Sequence, residues 1–175
     1  ILLLLQMVIF IGLKSLISLL HQNYEALRPV SEINEANKGD GYPWISEDGL
    51  RLYYNANDVL DNYTKLYMAE RQSDAYGFSN IKKLSVNIDG HDNLSPTLYS
   101  DELVLSYVVK RQNGRLKSEL FIASRTSIDD DFGTPRSVKL FGHFAGTIIS
   151  PSFTPDYSEL YIFNELNDET SCLVF

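Results

Sequence analysis

Residues 154–165 read TPDYSELYIFNE, a Pro-Asp turn that opens straight into a strand of aromatic and branched side chains. The same turn and strand occur at 46–57 as SEDGLRLYYNAN and at 98–110 as LYSDELVLSYVVK. Three prolines mark the copies: Pro43, Pro96 and Pro151. Each is followed five residues later by an aspartate (Asp48, Asp101, Asp156) and four residues beyond that by a leucine (Leu52, Leu105, Leu160). Equivalent positions lie 53 and then 55 residues apart. The match continues downstream. KLYMAER at 65–71 aligns with ELFIASR at 119–125 and with SCLVF at 171–175, and Phe78 aligns with Phe132. Self-similarity at a fixed period of this size is the mark of a repeat architecture.

Each unit reads as four short strands. The first lies around Trp44-Ile45, Thr97-Leu98 and Ser152-Phe153. A tight turn follows, in which Gly49 suits a positive φ and Pro155 presets φ. The second strand alternates, with Leu50, Leu52 and Tyr54 on one face and Arg51 and Tyr53 on the other. The third, KLYMAE or ELFIAS, is apolar on both faces, as suits a sheet covered above and below. The fourth, IKKLSV, is polar enough for an outer strand. One such sheet cannot bury both faces alone, and stacking copies of itself solves that problem. A four-stranded antiparallel sheet of about 40–50 residues recurring in tandem is the unit of a β-propeller. The expected fold is therefore all-β.

The pattern Pro-x-x-x-x-Asp-(Gly)-x-x-Leu-x-(Tyr/Phe), followed by Leu-(Tyr/Phe)-x-Ala-x-Arg, resembles the TolB-like propeller repeat, a Pro-Asp relative of the WD-type repeat. The first unit carries Pro43, Asp48, Gly49, Leu52 and Tyr54, then Leu66, Tyr67, Ala69 and Arg71. The second carries Pro96, Asp101, Leu105 and Tyr107, then Leu120, Phe121, Ala123 and Arg125. The third carries Pro151, Asp156 and Leu160, with Ile162 at the aromatic position. Glu102 and Tyr157 replace the turn glycine in the later units. The resemblance covers residues 27–175. It implies a binding module, by analogy alone.

On this reading residues 23–175 form the repeats: a blade at 43–95, a second at 96–150, and an incomplete third at 151–175. The stretch 26–34 is expected to be a lone outer strand, because Ile33 precedes Pro43 by ten residues as Val86 precedes Pro96. Two and a half to three blades fall short of the four to eight a ring usually needs. The expectation is a fragment of a larger propeller with an apolar blade face and strand edges exposed. A ring completed by a second chain is the alternative, and it would make the protein self-associate.

Residues 1–20, ILLLLQMVIFIGLKSLISLL, are almost wholly apolar. They are expected to be a helical signal peptide or membrane anchor spanning 1–22, which places the remainder in the periplasm, outside the cell or anchored on the outer side of the cytoplasmic membrane. The net charge of −8 argues against a nucleic-acid partner, which needs a basic footprint. The single cysteine, Cys172, excludes an intrachain disulfide, and the three histidines are too scattered for a local metal motif.

The chain contains no Gly-x-Ser-x-Gly, no phosphate-binding glycine loop and no His-Glu-x-x-His. Thr154-x-Asp156-x-Ser158 is similar to a sialidase aspartate box but lacks its glycine and coincides with the structural turn. The acids Asp129–Asp131 read as a solvated loop. No catalytic residue, metal site or cofactor is expected. In a propeller the loops joining fourth to first and second to third strands gather at one end of the channel, where ligands of this fold usually bind. That end would collect Asp40, Tyr42, His91, Asp92 and His143 from the first loop type. The second type adds Asn57, Asp58 and Asp61, then Lys110, Arg111, Arg115 and Lys117, then Asn167 and Asp168. Of these, Asp40, Tyr42, His91, Asp92, His143, Asp58 and Asp61 are the candidate rim. The expected function is an exported scaffold binding a protein, peptide or glycan. The competing expectation is the propeller portion of a hydrolase, a glycosidase or a propeller-gated peptidase.

Overall fold

A computed structural model of the chain describes residues 29–34, 39–60, 62–99, 101–111, 118–139, 147–154, 156, 158–166 and 169–174, the last two stretches from 164 onward in backbone only. The described residues are all-β and hold no helix. The expected N-terminal helix over 1–22 lies outside them.

Among the described residues, eleven strands form three open antiparallel sheets. Sheet A runs β1 (Gly41–Ile45), β2 (Arg51–Asn57), β3 (Thr64–Glu70) and β4 (Ser79–Lys83), paired in chain order. Sheet B repeats that order with β5 (Asp92–Leu98), β6 (Val104–Lys110), β7 (Ser118–Ser124) and β8 (Arg136–Ser137). Sheet C has three strands, β9 (Thr147–Phe153), β10 (Leu160–Leu166) and β11 (Glu169–Val174). The outermost strand of sheet A is exposed along its whole length, as its Lys-rich sequence requires.

The sheets pack through successive cores, and equivalent residues take equivalent places in them. Leu105 and Tyr107 of β6 face sheet A, packed with Tyr53, Leu66, Leu84 and Val86. Leu160 and Ile162 of β10 face sheet B, packed with Val108 and Leu120. Leu52 and Tyr54 of β2 face the other way, packed with Ala69, Phe78 and Ile33. Along β2, alternation sends Leu52 and Tyr54 to one core and Tyr53 to the next, so the strand is buried on both faces.

Two expectations need correction. The prolines do not begin the sheets, because β1, β5 and β9 start two to four residues earlier, at Gly41, Asp92 and Thr147. Each proline instead follows a residue with positive φ: Tyr42 (49°), Ser95 (53°) and Ser150 (50°). The pairing register slips at each of these points, so the repeated proline marks a bulge inside the strand. The described part of the lone outer strand, 29–34, is a turn closed by the Ile33 and Asn34 N–H groups on Val30 O. Ile33 does sit on sheet A as Val86 sits on sheet B, so this stretch matches the crossing between sheets rather than β4. The apolar face of sheet A turned away from sheet B is buried, with Ile33 and Val30 against it. The exposed aromatic face is on sheet C, where Tyr161 and Phe163 are each 38% exposed.

Candidate functional site

Antiparallel pairing decides which residues share an end of a sheet. Gly41 lies opposite Asn55, Asn57 opposite Thr64, and Asp92 opposite Lys110. The beginnings of β1, β3 and β5 therefore meet the ends of β2 and β6. Asp40, Tyr42, Asp58, His91 and Asp92 all fall at this end, together with Asn57, Lys110 and Arg111. Asp61 and His143 lie outside the described residues, as do Arg115, Lys117, Asn167 and Asp168.

Asp58 is spent on its own loop. Its backbone N–H donates to Tyr63 O at 2.9 Å, and Asn62 N–H donates back to Asp58 O at 3.0 Å with Asn62 at φ 60°. Its carboxylate accepts the Leu60 N–H at 2.9 Å, the Lys83 ammonium at 2.9 Å and the Tyr67 hydroxyl at 3.2 Å. The Lys83 hydrogen bond, then that from Leu60 N–H, brings its pKa down to about 2. Asp58 is buried, and the tip it pins presents Val59 and Leu60 to solvent, 73% and 87% exposed.

Asp92 and its neighbour join the sheets. The Asp92 carboxylate accepts the Thr64 N–H at 2.9 Å. Asn93 is fully buried; its amide oxygen takes the Ile88 N–H at 2.8 Å, and its amide nitrogen donates to His91 O at 2.9 Å and Ile88 O at 3.1 Å. Asn87 makes a backbone-like pair with Leu66, accepting its N–H at 2.7 Å and donating to its carbonyl at 3.0 Å. These side chains satisfy main-chain groups that a crossing loop would otherwise bury unpaired.

His91 is partly buried, and its Nδ1 meets no hydrogen-bond partner among the described residues. Tyr42 is 47% exposed on the edge strand. Asp40 is partly buried beside it. Lys65, at the second position of β3, is buried to 1% exposure, with Nζ 3.4 Å from Ile88 O and 5.4 Å from the centre of the Tyr63 ring. Lys65, Asn87 and Asn93 escaped the sequence reading. The only trace of Lys65 is its place in a strand whose neighbours are apolar on both faces, and the asparagines lie in a stretch that reads as ordinary polar loop.

The end is thus a hydrogen-bonded, partly aromatic surface whose Asp58 and Asp92 carboxylates are committed to neighbouring groups of the chain itself. Among the described residues no three His, Cys, Asp or Glu side chains are grouped to hold a metal ion. Asp156 is a turn residue. It accepts the Thr154 and Ser158 hydroxyls, each at 2.7 Å, and those hydrogen bonds bring its pKa down to about 2. Asp48 and Asp101 take the Leu50 and Leu103 N–H groups in the same way as Asp156 takes that of Ser158. The Asp129–Asp131 run is exposed; Asp130 accepts the Thr126 hydroxyl, and Asp131 pairs with Lys82 of sheet A. No protein-family model matches the chain, and no curated protein matches it.

Proposed function

We propose that the chain is part of an exported, TolB-like β-propeller that binds a protein, peptide or glycan through the sheet end carrying Tyr42 and His91. The propeller reading draws support from the cores: Leu105 packs toward the preceding sheet A and Leu160 toward the preceding sheet B, while Leu52 faces away from sheet B, so equivalent leucines point the same way along the stack of sheets. Export rests on the composition of residues 1–20 alone.

The binding reading rests on one observation. Asp58, Asp92, Asn87 and Asn93 hold the loops by internal hydrogen bonds, so the surface is organised before any partner arrives. Preorganisation lowers the entropic cost of binding. Asp58, ionised well below neutral pH, is a hydrogen-bond acceptor and an unsuitable general acid. The test is to present the protein to peptide and glycan arrays as wild type and as the Tyr42→Ala/His91→Ala double variant. Binding that falls in the variant supports the proposal. Equal binding by both proteins rejects this end as the site, and an image of the full-length protein without a central ring rejects the propeller.

A further inference from the structure

The opposite end of sheet A carries a second feature. Arg71 and Arg125 occupy the same place in their units. The Nε of Arg71 donates to Gly49 O at 2.7 Å, and that of Arg125 to Glu102 O at 2.9 Å. Each guanidinium lies over the equivalent phenylalanine, 4.8 Å from the Phe78 ring centre and 4.4 Å from that of Phe132. The terminal nitrogens then differ. Nη2 of Arg125 donates to the Tyr53 hydroxyl at 3.0 Å and lies 3.8 Å from the Glu102 carboxylate, while Nη1 donates to Asp130 O at 3.4 Å. Nη1 and Nη2 of Arg71 meet no hydrogen-bond acceptor among the described residues. The position that holds Glu102 in the second unit is Gly49 in the first, and a Cβ there would stand 3.2 Å from Arg71 Nη2.

Arg71 lines a cleft of about 500 Å³ with Gln72, Tyr76, Asn80 and Glu70. Glu32 lies within electrostatic reach of Arg71, but its Oε1 is engaged by the Phe78 N–H at 2.9 Å. A guanidinium fixed by one hydrogen bond and one ring, with two nitrogens left to present in a plane, matches a carboxylate. We propose that this cleft binds a small carboxylate ligand on Arg71, in the role that an acidic side chain fills beside Arg125. Glu70 on the same cleft favours a carboxylate that also carries an ammonium group, as an amino acid does.

The experiment is an NMR titration of the intact protein with acetate, with glycine and with inorganic phosphate, followed at the backbone amide signals of the cleft residues Gln72, Tyr76 and Asn80, which wild type and variants share. Saturable shifts with acetate or glycine are expected, the larger affinity with glycine. Arg71→Gln should weaken binding by about tenfold or more, the loss of a charge-assisted pair. Gly49→Glu supplies the carboxylate from the chain itself, at a backbone position whose equivalent accepts glutamate, and should abolish the titration while the fold is kept. No saturable shift with any probe, tighter binding of phosphate than of either carboxylate, or unchanged binding in Gly49→Glu would each overturn the proposal. The channel-end arrays and this titration report on opposite ends of the sheets, so either reading can fail without the other.

Discussion

Glu102 clamps Arg51 across the seam between sheets A and B. Nε of Arg51 donates to both carboxylate oxygens at 3.0 and 2.8 Å, and Nη2 donates to Oε1 at 2.7 Å. The Tyr53 hydroxyl adds a hydrogen bond at 3.1 Å, and Arg125 approaches from sheet B. The Glu102 hydrogen bond, more than any other influence, raises the pKa of Arg51. Burial pushes the Tyr53 phenol up to about 12, so the hydroxyl stays a donor at physiological pH. Glu102 occupies a left-handed conformation, φ 56°, which disfavours a side chain by about 1 kcal/mol relative to glycine. The carboxylate's position in the seam offsets that strain.

Glu102→Gln keeps the size and removes the charge from beneath two arginines. It should lower stability by about 2–4 kcal/mol, less than a fully buried pair would lose because Arg51 is partly exposed. Urea unfolding of the two proteins at pH 7 measures the difference. A change under about 0.5 kcal/mol would show that the clamp contributes geometry without stability.

Asp58 links stability to pH. Its pKa falls from the ordinary 3.8 to about 2 on folding, so its full contribution is present at neutral pH. Below about pH 4 the unfolded chain takes up the proton first, and the contribution fades until about pH 2. Lys83 is half-exposed, which limits the effect to about 1–2 kcal/mol. Asp58→Asn should therefore be destabilised at pH 6 and show a flatter stability profile between pH 4 and 2 than wild type. Parallel slopes in that window would assign the acid sensitivity to other carboxylates.

Leu105 is fully buried in the core between sheets A and B. Leu105→Ala removes buried methyl groups and leaves a cavity, a loss of about 2–5 kcal/mol. Ile162→Val, at the seam between sheets B and C, removes one methylene and should cost about 0.5–1.5 kcal/mol. Calorimetry of both variants tests whether the two seams melt together, and separate transitions would mean that sheet C is an independent cooperative unit.

Asn93→Leu replaces the amide that ties Ile88 and His91 together. It should destabilise the chain by about 2–3 kcal/mol through unpaired backbone groups. Amide exchange at Ile88 should accelerate more than exchange at Leu66, whose N–H is held by Asn87. Equal acceleration at both would show that the two asparagines act as one unit.

Local chemistry carried much of this protein. A period of 53 to 55 residues, the Asp after each proline and the alternation of Leu52, Tyr53 and Tyr54 are encoded within single units, because turns and strands depend on neighbours in the chain. The aspartate turns and the outer polar strand could be read for the same reason. Other properties arise where distant segments meet. Asp58 reads as a free loop acid until Lys83, 25 residues away, is seen against it. Glu102 reads as a lost glycine until sheet B brings it under Arg51 of sheet A. The strand slip at Tyr42, Ser95 and Ser150 is likewise a matter of register between strands. Periodicity is a property of one strand, whereas burial, charge pairing and register belong to pairs of surfaces, and only the packed sheets could decide them.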